Sequence, residues 1–143
     1  MGLLRLTHER PEVTADVSVR ETARIMAESH IGAIAVRKGA AIVGVFSERD
    51  LTKRVVAEGR DPATTRVGDV VNSEIVKVYD SDSVESAASA MRQYHVRHAV
   101  IVDQAGNYLA LLSERHLLYD VMNALEAKVG DLTGYIMADG PGG

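Results

Sequence analysis

Residues 44–51 read GVFSERDL and residues 110–117 read ALLSERHL, so one short pattern occurs twice in this chain of 143 residues. The two stretches share the Ser-Glu-Arg triplet and the final leucine. In each, an apolar run ends at a serine that is followed by charged residues, which is typical of a strand turning into a helix. An internal repeat of this kind predicts a fold built from two copies of one unit.

The repetition extends toward the N-terminus, where five residues are identical at matching positions: Ser18, Val19, Ala23, Met26 and His30 match Ser83, Val84, Ala88, Met91 and His95. Each serine can cap a helix whose apolar residues recur at helical spacing. A short extended segment precedes each helix, EVTA near Glu12 and EIVKV near Glu74, and two apolar runs broken by turn residues follow it. Each copy therefore reads β-α-β-β-α.

The predicted fold class is α+β, with two β-α-β-β-α repeats packed with pseudo-twofold symmetry through their sheets. The predicted division is residues 1–65 for repeat one, 66–129 for repeat two, and 130–143 for a flexible tail without a periodic apolar pattern. A unit of about 60 residues buries too small a share of its surface to be stable alone. The copies should therefore pack together and leave a cleft between them, where ligand pockets tend to form.

Composition narrows the function. The net charge is -4 without a dense Lys/Arg run, which argues against nucleic acid as a partner. Cysteine is absent, and no apolar run is long enough to predict a membrane span or a signal peptide, so we expect a cytoplasmic protein. The chain also lacks a G-x-S-x-G element, a Walker-type loop and an HExxH motif, so we expect no catalytic residues and no enzyme activity.

The stretches HIGAIAV, GVFSERDL, GRDP followed by RVGDVV, HVRHAVIVD and LLSERHLL resemble a stand-alone tandem CBS (cystathionine-β-synthase-type) domain pair. The likeness covers about residues 10–125. It implies a homodimer of such pairs, with clefts that bind adenosine-containing ligands such as AMP, ATP, S-adenosylmethionine or NAD. It implies neither an enzyme nor a required cofactor.

The same resemblance implies one complete ligand site. Asp50 would hold the ribose hydroxyls, and Arg97 and His98 would face the phosphates. This is chemically reasonable because a carboxylate accepts hydroxyl hydrogen bonds and a guanidinium meets phosphate oxygens bidentately. The implied ligand-binding residues are Val45, Ser47, Arg49, Asp50, Ile75, Val76, Val96, Arg97 and His98.

The mirror site departs from this pattern, because His116 replaces the aspartate while Gly32 and Ala33 replace the arginine and histidine. We expect this second, weaker site to be empty, weak, or adapted to an uncharged ligand. Its residues would be Val13, Thr14, Ile31, Leu111, Ser113 and His116.

Structural explanations compete with these roles. Ser47 and Asp50 also form a capping-box pattern, which His116 should lose, leaving Ser113 to cap alone. Arg97 and His98 could belong to a solvated turn before a buried strand.

The remaining histidines favour structure over ligand chemistry. His30 and His95 each follow a helix, which favours a structural role at its C-terminal end. His95 and His98 have no Cys, Asp or Glu at usual ligand spacing, so we expect no metal.

Two functions remain after these exclusions. The favoured one is a non-catalytic regulatory module that binds an adenine nucleotide of the AMP, ADP or ATP class between the two repeats. The alternative is a ligand-independent dimeric scaffold that regulates a separate enzyme or transporter. The sequence leaves open the particular ligand, the effector protein and the orientation of the dimer.

Overall fold

The computed structural model describes the backbone of residues 2–139 and the side chains of residues 2–131. Repeat one contains β1 (Glu12–Thr14), α1 (Val19–Ser29), β2 (Ala33–Lys38), β3 (Ala41–Ser47) and α2 (Glu48–Asp50), which continues as a π-helical segment, Leu51–Val56. Repeat two contains β4 (Lys77–Tyr79), α3 (Val84–Gln93), β5 (His98–Val102), β6 (Tyr108–Ser113) and α4 (Glu114–Asp139). The predicted β-α-β-β-α order is confirmed in both copies.

Each repeat forms one three-stranded sheet with the same topology. The orders are β1-β2-β3 and β4-β5-β6; the first pair in each sheet is parallel and the second is antiparallel. The opening strand of repeat two begins at Lys77, later than the EIVKV segment predicted from Glu74. Residues 75 and 76 therefore lie in the connection that leads into β4.

The central strands are buried on both faces, which explains their nearly continuous apolar sequence. In β2, Ile34 and Val36 pack into the core of their own repeat, whereas Ala33 and Ala35 face the other sheet. This follows the alternation of side chains along a strand. The contact between the sheets is a third cluster, formed by Ala33, Ala35, Val100, Val102, Tyr108 and Leu111. The predicted packing through the sheets is confirmed.

The segments that precede the repeats exchange places between the two cores. Leu3 is buried in the core of repeat two, and its backbone N–H donates to the Asp80 carbonyl at 2.9 Å. Val67 is buried in the core of repeat one, and its N–H donates to the Val17 carbonyl at 2.8 Å. The copies are therefore interlocked, and the predicted division at residues 65 and 66 does not separate the two cores in space.

The first helices of the two repeats end alike, whereas the second ones end differently. The first helix of each repeat is followed by a histidine in left-handed conformation, His30 at φ 55° and His95 at φ 54°, which supports the structural role expected for these residues. The helical segment of repeat one is followed by a turn in which Gly59 has φ +70°.

α4, in contrast, continues through Gly130 to Asp139. One glycine costs a helix only about 1 kcal/mol, which is too little to end a long one. That residues 130–143 form a flexible tail stays a prediction, and residues 140–143 lie outside the described part of the chain.

Candidate functional site

The largest cleft lies between the two repeats and is a cavity of about 680 Å³, which we call the main cleft. Its walls come from the start of α2, from the connection before β4, from the loop before β5 and from the start of α4. All nine residues of the predicted main site line it: Val45, Ser47, Arg49, Asp50, Ile75, Val76, Val96, Arg97 and His98. The structure therefore brings together residues that are up to 53 positions apart in sequence.

Asp50 is held at the first turn of α2 by Ser47. Its Oδ2 accepts hydrogen bonds from the Ser47 backbone N–H and hydroxyl, both at 2.9 Å, and its own N–H donates to the serine oxygen at 3.2 Å. Its Oδ1 lies 3.3 Å from Nε of Arg54, and the residue is only 8% exposed. The capping box is thus confirmed, and it leaves one carboxylate oxygen to serve both Arg54 and any ligand.

The connection that carries Ile75 and Val76 is fixed against β3 by Asn72. Its backbone pairs with Val45 in both directions, at 3.1 and 3.2 Å, and its side-chain oxygen accepts from the Glu74 N–H at 3.1 Å. Gly44 permits this approach, because a Cβ there would lie 2.8 Å from the Asn72 carbonyl oxygen. Close backbone packing therefore positions the apolar wall of the main cleft.

Basic side chains outnumber acidic ones around the main cleft. Arg97 is largely in solvent, and its Nε is 4.0 Å from Oε2 of Glu114, a loose pair that leaves the guanidinium able to reach an anion. The basic residues of the lining are Arg49, Lys53, Arg54, Arg97 and Arg115, and the acidic ones are Glu48, Asp50, Glu74 and Glu114. The lining thus suits a ligand that carries negative charge.

His98 forms part of the wall of both clefts between the repeats. Burial is the main cause that lowers the pKa of His98 to about 4, and electrostatic interactions with His116, Arg115 and Arg97 lower it further. At neutral pH the ring is therefore uncharged. His98 can exchange hydrogen bonds with a phosphate, but the positive charge facing it must come from the arginines.

The second cleft is a smaller cavity of about 180 Å³. Four of the six residues predicted for the second site line it, namely Ile31, Leu111, Ser113 and His116. Val13 and Thr14 are absent from the lining, and Val13 is buried in the core of repeat one.

The error over Val13 and Thr14 is one of register. The Val100 N–H donates to the Val76 carbonyl at 2.8 Å, as the Ala35 N–H donates to the Pro11 carbonyl at 3.1 Å. Pro11, rather than Val13 or Thr14, is therefore the counterpart of Val76.

His116 keeps the capping box that it was expected to lose. The Ser113 N–H donates to Nδ1 of His116 at 2.9 Å, the serine oxygen is also 2.9 Å from Nδ1, and the His116 N–H donates to that oxygen at 3.2 Å. The imidazole nitrogen replaces the carboxylate oxygen because it too accepts a hydrogen bond when unprotonated. Burial is the main cause that lowers the pKa of His116, and the charge of Arg115 lowers it further. The lowered pKa favours this neutral form.

Several lining residues were missed from the sequence. Arg54 follows Asp50 at the four-residue spacing that joins side chains on one helix face, so it had a usable signal. Asn72, Tyr94 and Arg115 had none, because only the tertiary fold brings them to the main cleft. Among the side chains of residues 2–131, no group of three or more His, Asp or Glu could hold a metal ion. Within the described part of the chain, no helix is long and apolar enough to cross a bilayer.

Comparison with known proteins gives a consistent result. The family model described as CBS domain matches residues 6–57 and 67–123. The chain is 32% identical over 99 residues to the CBS domain-containing protein YhcV of Bacillus subtilis, which covers 69% of this chain and 70% of that protein. In three longer relatives the matched stretch is 20–22% of the length.

Solved structures with this fold include two close in size. A putative signal-transduction protein with CBS domains from Burkholderia ambifaria is 26% identical, with a TM-score of 0.80, over 86% of this chain and 95% of that one. The CBS domain protein PAE2072 from Pyrobaculum aerophilum, complexed with AMP, is 29% identical, with a TM-score of 0.75, over 90% of this chain and 99% of that one.

Proposed function

The chain belongs to the CBS domain family as a paired regulatory module, and from that premise we propose that it binds an adenine nucleotide of the AMP, ADP or ATP class in the main cleft. The observation that carries the proposal is the position of Asp50. It lines a cavity of about 680 Å³ whose lining also contains Arg97. A volume of this size falls within the range of small-molecule sites.

The proposed ligand is divided among three parts of the main cleft. The adenine ring packs between Ile75 and Val76 on one side and Val96 on the other. The ribose hydroxyls bind Oδ1 of Asp50, the carboxylate oxygen that the capping box leaves available. Ribose binding therefore competes with Arg54, whose guanidinium can then turn toward the phosphates.

The phosphate end is proposed to face the basic lining around Arg97 and Arg49. Charge-assisted hydrogen bonds to guanidinium groups are stronger than neutral ones, which favours a phosphorylated ligand over S-adenosylmethionine. The AMP bound to the related PAE2072 supports this ligand class.

Binding has a regulatory effect because each repeat supplies part of the wall of the main cleft. Asp50 comes from repeat one and Arg97 from repeat two, so a nucleotide that bridges them favours one relative orientation of the two copies. The size of this shift is limited by the difference between the nucleotide's affinities for the two orientations. We propose that the nucleotide is a signal and is not consumed.

Calorimetric titration with AMP, ADP, ATP, S-adenosylmethionine and NAD tests the proposal. We expect AMP, ADP or ATP to bind, and Asp50→Ala to weaken binding at least tenfold, because a charge-assisted hydrogen bond contributes about 1.5–3 kcal/mol. Asp50→Asn keeps an oxygen for the cap and should weaken binding similarly if the charge matters. His116→Ala, the matched change in the second cleft, should leave the affinity unchanged.

Two results would contradict the proposal. One is the absence of binding by all five ligands to a folded wild-type chain. The other is equal loss of affinity in Asp50→Ala and His116→Ala while circular dichroism shows both to be folded.

A further inference from the structure

Arg54 connects Asp50 to the chain segment that joins the two repeats. Its Nε lies 3.3 Å from Oδ1 of Asp50, and its Nη1 donates a hydrogen bond to the backbone carbonyl of Val71 at 3.1 Å. The side chain lines the main cleft and is 43% exposed. The guanidinium is therefore held at two points and is still open to the main cleft.

The ion pair with Arg54 provides a partner for a buried carboxylate. The cap by Ser47 uses Oδ2 of Asp50, whereas Arg54 lies beside Oδ1. Asp50 is almost completely buried, and a charge in such a position is costly unless it is paired. Arg54 therefore stabilises the carboxylate that we propose binds the ribose, and it does so at the same oxygen.

Repeat two does not repeat this arrangement. The counterpart of Asp50 is His116, and the counterpart of Arg54 is Asp120. Oδ1 of Asp120 lies 2.7 Å from Nη1 of Arg5, and Asp120 is not part of the lining of the second cleft. Because both repeats keep the same cap, the start of the helix does not require an arginine at this position. The arginine accompanies the carboxylate anchor.

The backbone that carries Arg54 also differs from its counterpart in repeat two. Leu51–Val56 is π-helical, and the Ala57 N–H donates to the Thr52 carbonyl, five residues back, at 2.9 Å. α4 is an α-helix from Glu114 to Asp139. Single π-helical turns are rare and are frequent at functional sites. The two copies therefore differ here in backbone as well as in side chains.

Binding of a ribose at Oδ1 of Asp50 changes the partner of Arg54. The ribose hydroxyls donate hydrogen bonds to the oxygen that the guanidinium contacts in this structure. The displaced guanidinium keeps the Val71 carbonyl, a neutral acceptor, and loses its anion. A phosphate on the same ligand replaces that anion, because a guanidinium binds phosphate oxygens bidentately. A nucleoside has no group that does so.

We propose, building on the function proposed above, that Arg54 makes the main cleft selective for nucleotides over the unphosphorylated nucleoside. When the ribose binds, the guanidinium exchanges the carboxylate of Asp50 for a phosphate of the nucleotide. Adenosine displaces the same ion pair without supplying a new anion and therefore binds weakly. Arg54 is thus a specificity-determining residue that favours the phosphorylated ligand and opposes the nucleoside.

Calorimetric titration of the wild type and Arg54→Met with AMP and with adenosine tests the exchange. We expect the wild type to bind AMP roughly tenfold more tightly than adenosine, or better. In Arg54→Met the affinity for AMP should fall about 10- to 100-fold, the equivalent of one charge-assisted hydrogen bond. The affinity for adenosine should instead rise about two- to fivefold, because a partly exposed ion pair no longer has to be broken.

Two further variants control for charge and for the loss of an ion pair. Arg24→Met is the matched control, since Arg24 also pairs with an acid four residues away, Glu28 at 2.7 Å, and lies outside the main-cleft lining. It should bind AMP and adenosine as the wild type does. Arg54→Lys should restore part of the preference for AMP, because it keeps the charge without the bidentate geometry.

Arg54→Gln keeps the test decisive if Arg54→Met does not fold. Its amide retains a hydrogen-bond donor for Asp50 without the charge. We expect it to change the two affinities in the same opposite directions by smaller factors. Circular dichroism checks that each variant is folded.

The contrary outcomes separate this proposal from nucleotide binding itself. Loss of AMP and adenosine affinity by the same factor would mean that Arg54 only supports the fold. Loss for AMP with unchanged adenosine affinity would mean that Arg54 contacts the phosphate without leaving Asp50. Either result, or equal affinity of the wild type for AMP and adenosine, overturns the exchange and leaves nucleotide binding standing. Absence of AMP binding to the folded wild type overturns both proposals.

Discussion

The starts of α2 and α4 have the same local structure but different chemistry. In each, a serine and the residue three positions later exchange the same contacts, at 2.9, 2.9 and 3.2 Å. Asp50 uses one oxygen for the cap and retains a second acceptor. His116 uses Nδ1 as the acceptor, so its proton lies on Nε2 and its remaining group is a donor. Both helices are therefore capped in the same way, whereas the carboxylate oxygen that we propose binds the ribose is present only at Asp50.

The clefts around Asp50 and His116 also differ, both in size and in one lining position. The main cleft is about 680 Å³ and the second about 180 Å³. Where repeat two has Arg97, repeat one has Gly32, and a Cβ built there would lie 2.9 Å from a carboxylate oxygen of Glu48. The second cleft thus has a glycine where the main cleft has an arginine, and the acidic residue of its lining is Glu9. Duplication preserved the packing, whereas the two clefts differ in size and in this lining position.

The largest expected effect comes from exchanging the anchors. Asp50→His should keep the α2 cap, as His116 does in α4, and remove the acceptor for ribose. We expect AMP affinity in the main cleft to fall about 10- to 100-fold, the equivalent of losing about 1.5–3 kcal/mol from a charge-assisted hydrogen bond. Calorimetry measures the affinity, and the melting temperature checks the fold.

The reverse exchange asks whether an anchor alone makes a site. His116→Asp should not raise the AMP stoichiometry, because the second cleft is small and has Gly32 where the main cleft has Arg97. A second equivalent of AMP bound by His116→Asp would show that one residue accounts for the whole difference between the clefts. Unchanged affinity in Asp50→His would show that the anchor is not used.

The next effect concerns His98, which both clefts share. Its pKa of about 4, lowered first by burial, means that the unfolded chain takes up a proton there as the pH falls from 6.5 while the folded chain does not. Stability is therefore lost between pH 6.5 and pH 4. We expect His98→Gln to reduce this acid loss by about 2 kcal/mol, somewhat below the full linkage value because the ring is partly exposed.

Urea unfolding of both proteins at pH 7 and pH 4.5 measures the difference. The exposed His8→Gln is the matched control and should follow the wild type. His116, whose pKa burial also lowers, is present in all three chains and cancels. Identical acid loss in wild type and His98→Gln would mean that the ring is protonated in the folded state.

The sequence was sufficient for the fold because its evidence was local and present twice. Helical spacing and a repeated strand-to-helix junction predicted both sheets, and likeness to the family named nine residues that the fold brings to the main cleft. Register was harder, since β1 has only three residues and offers too little alternation to align it. The counterpart of Val76 is visible only through the hydrogen bond to Pro11.

Other features could not be predicted because they depend on geometry that residue types do not encode. The retained cap at His116 required the imidazole to lie at the distance of a carboxylate. Leu3 and Val67 are each buried in the core of the other repeat, which depends on the path of the connecting segments. The length of α4 was not predicted either, because no residue of the sequence was assigned as its end.

A smaller effect tests whether the two caps are equivalent in energy. Ser47→Ala and Ser113→Ala each remove a hydroxyl that accepts a backbone N–H, which typically costs about 1 kcal/mol. Because the contact distances match, we expect equal losses of unfolding free energy at pH 7. Urea titration measures them, with the exposed Ser73→Ala as control. A loss confined to Ser47→Ala would mean that the imidazole box holds without its serine.

The smallest effect concerns two glycines, Gly59 after the helical segment of repeat one and Gly130 inside α4. Replacing each by alanine should change the stability in opposite directions. Gly59 has φ +70°, which alanine adopts at a cost, so Gly59→Ala should destabilise by roughly 0.5–1 kcal/mol. Gly130 lies inside α4, and a Cβ added there would meet open space, so Gly130→Ala should stabilise by a similar roughly 0.5–1 kcal/mol. Thermal unfolding of the two variants measures the signs. If both variants were destabilised, α4 would end before residue 130, as the helical segment of repeat one ends before Gly59. The two copies would then differ only in their clefts.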